Sequence, residues 1–114
     1  MYLADKEASF ITRQAKIAQA ASVAGIRSTK QLEIFLICMA GEGQCLSDLV
    51  GLASDTPEYK TRYAIARQLM QGSPCRDYRG ANLLRWGEPV YGKEKAVLLT
   101  SDGERLGLKI LALA

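Results

Sequence analysis

Thr56, Tyr59, Lys60, Tyr63, Arg67 and Met70 recur at spacings that return to one side of an α-helix. Their hydroxyl, phenol, ammonium and guanidinium groups can donate to phosphate oxygens and base edges, and the face is almost free of acid. A solvated helix face ordinarily mixes both charge signs, so this one predicts a surface that meets nucleic acid. Placing Ile65 at the centre of the buried face sets Thr61 and Leu69 beside it. Arg62 then lies nearer the buried side, where a phosphate contact and an ion pair with Asp48 or Asp55 both stay open.

A helix over 56–71 must carry these groups. Asp55 or Thr56 can cap its first N–H groups, Pro57 suits the first helical position, and Gly72 suits the exit. Before it, Leu46 to Ala53 supplies a short helix with Leu46, Leu49, Val50 and Ala53 inward, and Ser54-Asp55 makes a tight turn. Two helices across such a turn, the second with a basic outer face, are the arrangement of a helix-turn-helix. After it, Ser73-Pro74 cannot continue a helix, and the segment to Gly80, with Arg76 and Arg79, reads as loop. Asn82 to Trp86 and Lys95 to Thr100 read as the strands of a β-hairpin with a long tip over 87–94. Arg85, Tyr91, Lys93 and Lys95 suit contacts with a sugar-phosphate backbone.

Three further helices complete the chain. Residues 5–24 carry two apolar stripes, Ala8, Ile11, Ala15 and Ala18 on one and Phe10, Ile17, Ala21 and Ala24 on the other. Such a helix packs on its own domain along one stripe and on a partner along the other, or is wrapped by its own domain; both readings stay open. Ser28 or Thr29 opens a second helix with Leu32, Phe35, Leu36 and Met39 inward, stopped by Gly41-Glu42-Gly43. Ser101 to Leu113 forms the last, with Leu106, Ile110, Leu111 and Leu113 as its apolar side. The expected fold class is mainly α with a small β-hairpin, in the order α-α-α-α-β-β-α, as one domain over residues 1–114.

Composition agrees with one domain: 114 residues, 48% hydrophobic, can bury a modest core. The net charge of +3 is unevenly spread. Residues 56–95 hold eight Lys and Arg against four Asp and Glu, whereas residues 1–55 hold five against six. The excess therefore sits on the central helix and on the segment C-terminal to it. Apolar runs fall far short of the roughly 20 residues of a membrane helix. The mixed charges at Asp5, Lys6 and Glu7 do not resemble a signal peptide, so a cytoplasmic location is expected. Cys38, Cys45 and Cys75 lack the C-x-x-C spacing of a zinc site and suit buried thiols, with a redox role also open for Cys45 at a helix mouth. With no histidine and scattered carboxylates, no catalytic residue, metal or cofactor is expected.

The element order and three strings resemble the MarR family of winged-helix transcription regulators. The strings are Thr29-Lys30-Gln31 opening the second helix, Thr56-Pro57 followed by Thr61-Arg62, and Leu99-Thr100-Ser101-Asp102-Gly103 leading from the hairpin into the last helix; together they cover about residues 29–105. Tyr91 and Lys93 stand about where that family carries an Asp and an Arg in its wing. The chain also stops fourteen residues after Thr100, where family members continue into a long dimerisation helix. The resemblance implies a homodimer on a roughly palindromic operator, with helix 56–71 in the major groove and the hairpin as a wing near the minor groove. The expected function is thus a sequence-specific double-stranded DNA-binding regulator, read as a repressor. The expected contacts are Thr56, Tyr59, Lys60, Thr61, Arg62, Tyr63, Arg67, Arg85, Tyr91, Lys93 and Lys95. The alternative is a winged-helix protein-interaction module without direct DNA readout.

Overall fold

Single residues set the helix ends in this chain. The computed structural model describes residues 1–70 and 80–114, and every side chain among them except that of Tyr91. The expected exit at Gly72 and the expected loop with Arg76 and Arg79 lie outside the described residues. Helix α1 runs Asp5–Val23 and ends in a Schellman turn. Gly25 sits at φ +107°, its N–H reaches the Ser22 carbonyl at 3.1 Å, and the Ile26 N–H reaches that of Ala21 at 3.0 Å. Ile26 and Ala21 are both buried, the apolar contact that accompanies this turn. Ser28 caps α2 (Thr29–Ala40) by accepting from the Gln31 N–H. The Gln31 side chain reaches back to accept from the Arg27 N–H at 2.7 Å, a reciprocal arrangement like a capping box.

Helix α3 (Leu46–Val50) is shorter than expected, because Gly51 leaves it in the left-handed region. Thr56 then closes the α3–α4 turn from both sides. Its hydroxyl donates to the Ala53 carbonyl at 2.7 Å and accepts from the Tyr59 N–H at 3.2 Å. Helix α4 (Pro57–Leu69) ends two residues before the expected Gln71. Met70 turns extended and is buried, so it leaves the outer face on which periodicity places it. The returning chain replaces the next helical turn, since the N–H groups of Ala81 and Leu83 bond to the carbonyls of Gln68 and Leu69.

The sheet is one antiparallel hairpin, β1 (Leu84–Tyr91) with β2 (Glu94–Leu99). Leu84 pairs with Leu99, Trp86 with Val97 and Tyr91 with Glu94. The expected long tip is therefore a tight turn at Gly92-Lys93, with Gly92 at φ +58°. Pro89 and Gly87 suggest a loop by type, but they lie where the register shifts between Trp86 and Tyr91, the place a strand tolerates them. Asn82 is at φ +60°, which starts β1 two residues later than expected. Before α3 the chain pairs with β2: the Gly43 N–H bonds to the Val97 carbonyl at 3.0 Å and the Val97 N–H to that of Gln44 at 2.9 Å. This fixes the hairpin against the α3–α4 unit. Thr100 caps α5 (Ser101–Leu113) through the Gly103 N–H and donates to the Asn82 carbonyl.

The molecule is thus mainly helical with a small two-stranded sheet. Its core joins Ile34, Phe35 and Cys38 of α2, Ala66 and Leu69 of α4, Leu84 and Val97 of the hairpin, and Leu106 and Ile110 of α5. The expected inward residues Leu32, Leu36 and Met39 are only half-buried, and Leu111 is 64% exposed, one position past the inward Ile110. Helix α1 packs along α5 through Ile17 and Ala21. Residues 5–16 are exposed throughout, so the first apolar stripe and Phe10 face solvent. Among the described residues no helix is long and apolar enough to cross a membrane.

Burial pushes the Cys38 thiol up from 9.0 to about 12, because the thiolate would lose its hydration. As pH rises past 9 the unfolded chain releases this proton and the folded chain keeps it. Cys38 therefore contributes stability in full below about pH 9 that is lost toward pH 12, at up to about 1.4 kcal/mol per pH unit. Denaturant midpoints compared between about pH 8 and about pH 10.5 are expected to fall more in the native chain than in Cys38→Ala.

Candidate nucleic-acid interface

Helix α4 packs on α2 through Ala66 and Leu69, with Tyr59 and Ile65 partly buried. The centre of its inner side is Ala66 rather than Ile65. That rotation carries Thr61, expected inside, out to solvent, where it lies with Lys60, Ala64 and Arg67. The Thr61 hydroxyl donates to the Pro57 carbonyl one turn back at 3.2 Å. Ala64 is not among the expected contacts; its methyl group sits in this face and suits a thymine methyl. Glu58 is the only carboxylate on α4, in its first turn, where it also favours the positive helix end.

Two expected contacts have other partners. The Thr56 hydroxyl is committed to the α3–α4 turn on both its donor and acceptor sides. Arg62 pairs with Glu33 of α2 at 2.6 Å, neither with Asp48 nor with Asp55, because α2 rather than α3 lies against that side of α4. Both members of the pair are substantially exposed, 38% and 49%, and such a pair contributes about 0–1 kcal/mol. Arg62→Gln is expected to change unfolding free energy by less than about 1 kcal/mol, read by thermal melting. Beside it, Gln31 donates to Gln68 at 2.7 Å, a second tie between α2 and α4.

Tyr59, expected on the outer face, is half-buried under the hairpin. Its phenol is raised above its ordinary pKa, first by burial and then by the nearby charge of Glu94, so it stays a neutral donor. Tyr63, 37% exposed, leans the same way. Its ring lies 6.1 Å from that of Tyr59 and stacks at 5.7 Å and 23° on Trp86 of β1. The i,i+4 spacing of the tyrosines makes their contact legible; nothing local shows that Trp86 completes the row.

These rings floor a groove of about 270 Å³ between α4 and the hairpin, lined also by Leu46, Ser54, Lys93, Glu94 and Lys95. Lys93 and Lys95 are exposed at its rim and thus join the α4 side chains. Arg85 does not: it precedes the groove-facing Trp86 by one residue, and strand alternation turns it to the opposite side of the hairpin. The Tyr91 side chain lies outside the described residues. At the groove's inner end Glu94 accepts from the buried Cys45 thiol at 3.8 Å, so the cysteine expected at a helix mouth is enclosed. The interface is therefore an exposed cationic helix face (Lys60, Thr61, Ala64, Arg67) beside an aromatic groove edged by two lysines. No protein-family model, no curated protein and no solved structure matches the chain, and a functional reading rests on this geometry.

Proposed function

We propose that the chain is a double-stranded DNA-binding transcription regulator of winged helix-turn-helix type, with α4 as the recognition helix and the β1–β2 hairpin as the wing. The observation that carries this reading is the outward face of α4: Lys60, Thr61, Ala64 and Arg67 stand exposed along one side of a 13-residue helix. Such a helix is about 20 Å long, and the major groove, about 12 Å wide, admits it. Lys60 and Arg67 supply donors for guanine or phosphate, Thr61 a hydroxyl, and Ala64 an apolar contact. Lys93 at the tight hairpin turn and Lys95 on β2 add phosphate contacts alongside. Repression is the outcome such binding gives when the site overlaps a promoter.

The free half of α1 supports a homodimer. Ile11 is 53% exposed and Phe10 similarly so, on a helix whose other half is anchored to α5, and a second copy would cover them and set two α4 helices on paired half-sites. The same exposed residues favour the alternative, a monomer that docks on another protein. Sedimentation separates the two: a dimer supports paired recognition helices, and a monomer whose duplex binding is insensitive to salt supports the interaction module. Fluorescence anisotropy against a random duplex tests the main reading. Affinity is expected to fall steeply with salt as counterions are released; salt-independent binding, or none, would contradict it.

A further inference from the structure

We propose that the groove between α4 and the hairpin is a site for one unpaired nucleobase with its attached phosphate, the base stacking on the Tyr63–Trp86 row and the phosphate lying on Lys93 and Lys95. The inference goes beyond duplex binding and does not require it. A row of rings that served only to pack the hairpin would be sealed, yet Tyr63 keeps 37% of its surface open and Trp86 is only half-buried. The groove's 270 Å³ falls just under the roughly 300–1,000 Å³ of pockets that take drug-sized molecules, which leaves room for one planar ring system. Aromatic faces beside cations are what single-stranded nucleic acids use, since every base has a π-face and every nucleotide a charge.

The remaining lining gives the site a preference. Glu94, between the two lysines, can accept from an exocyclic amine, as carboxylates do from cytosine N4. Tyr59 and Ser54 offer hydroxyl groups. A hydrophobic helix from a protein partner would have to strip water from Lys93, Glu94 and Lys95, a cost with no return.

Trp86 is the chain's single tryptophan, so intrinsic fluorescence reports on the groove. The full chain is titrated with an oligodeoxycytidine strand, with an abasic strand of equal length, with free dCMP and with a random duplex. Saturable Trp86 quenching by oligodeoxycytidine is expected, about tenfold or more tighter than by the abasic strand. Tyr63→Ala should erase that difference while Tyr63→Phe keeps it, and Lys93→Glu, at the exposed turn, should weaken the strand should Tyr63→Ala not fold. Quenching by dCMP as tight as by the strand assigns the site to free nucleotides; quenching by the strand alone assigns it to single strands. Equal affinity for abasic and base-bearing strands, or no quenching by either, overturns the proposal and leaves the duplex reading standing. Strand binding without duplex binding has the reverse meaning.

Discussion

Lys60→Glu combined with Arg67→Glu is expected to weaken duplex binding about 100-fold or more near 0.1 M salt, because two donors to a polyanion become two repelling charges. A lost base-edge or phosphate contact of this kind costs about 1–3 kcal/mol, and reversal adds repulsion to the loss. The logarithmic salt slope should fall by about one for each phosphate contact removed. Arg67 is the basic residue of the last turn of α4, so its reversal also costs the helix roughly 0.3–1 kcal/mol through the macrodipole. Lys60 lies earlier on the open face and carries no such burden. Lys60→Glu alone is therefore the cleaner variant, with about a tenfold loss of affinity and an unchanged melting temperature. Anisotropy and thermal melting on the same samples check both parts.

Gly103→Ala is expected to destabilise the fold by about 3 kcal/mol or more, the upper end of overpacking costs. A Cβ on Gly103 would run into the Leu83 carbonyl, and that backbone cannot yield. The Leu83 N–H is bonded to the Leu69 carbonyl at 2.9 Å, while its own carbonyl accepts from the Thr100 N–H at 3.1 Å. The junction ties the end of α4, the start of β1 and the first turn of α5 together. A melting temperature lower by on the order of 10 °C is the expected consequence. Gly107, one turn on, is the contrast. A Cβ there meets the flexible thioether of Met39 at 2.9 Å, and alanine gains up to about 1 kcal/mol of helix propensity. Gly107→Ala should melt within a few degrees of the native chain, which separates loss of space at Gly103 from loss of glycine as such.

What the sequence makes legible is what local chemistry decides. Ser28, Thr56 and Thr100 cap helices because a short hydroxyl reaches its own backbone, and Gly25 ends α1 because only the left-handed region continues that turn; these effects act within four residues. Periodicity misplaces the inner face of α4 because Ala66, its fully buried centre, is small enough to suit either face, whereas Ile65 has the size of an anchor. That one rotation moves Thr61 and Tyr59 together, whereas Met70 leaves the face because the chain turns extended there. Arg62–Glu33 and Tyr63–Trp86 join residues far apart in the chain, so neither pairing can be read from spacing. The hairpin tip reads as long because Gly87 and Pro89 are turn residues in most settings, and only the register shows them at an irregularity within a strand. On the candidate interface, Lys60, Arg67, Lys93 and Lys95 are exposed, Tyr63 turns from the outer face to stack on Trp86, Thr56 and Arg62 are engaged within the fold, and Ala64 and Trp86 enter only with the tertiary arrangement.

Selection of bound duplexes from a random pool tests most directly whether α4 reads DNA. The expected result is enrichment of a short consensus, arranged as an inverted repeat with half-sites about one helical turn apart, and its loss when the selection is repeated with Lys60→Glu. Recovery of a pool with no enriched sequence, or of the same consensus from Lys60→Glu, would contradict a reading role for α4.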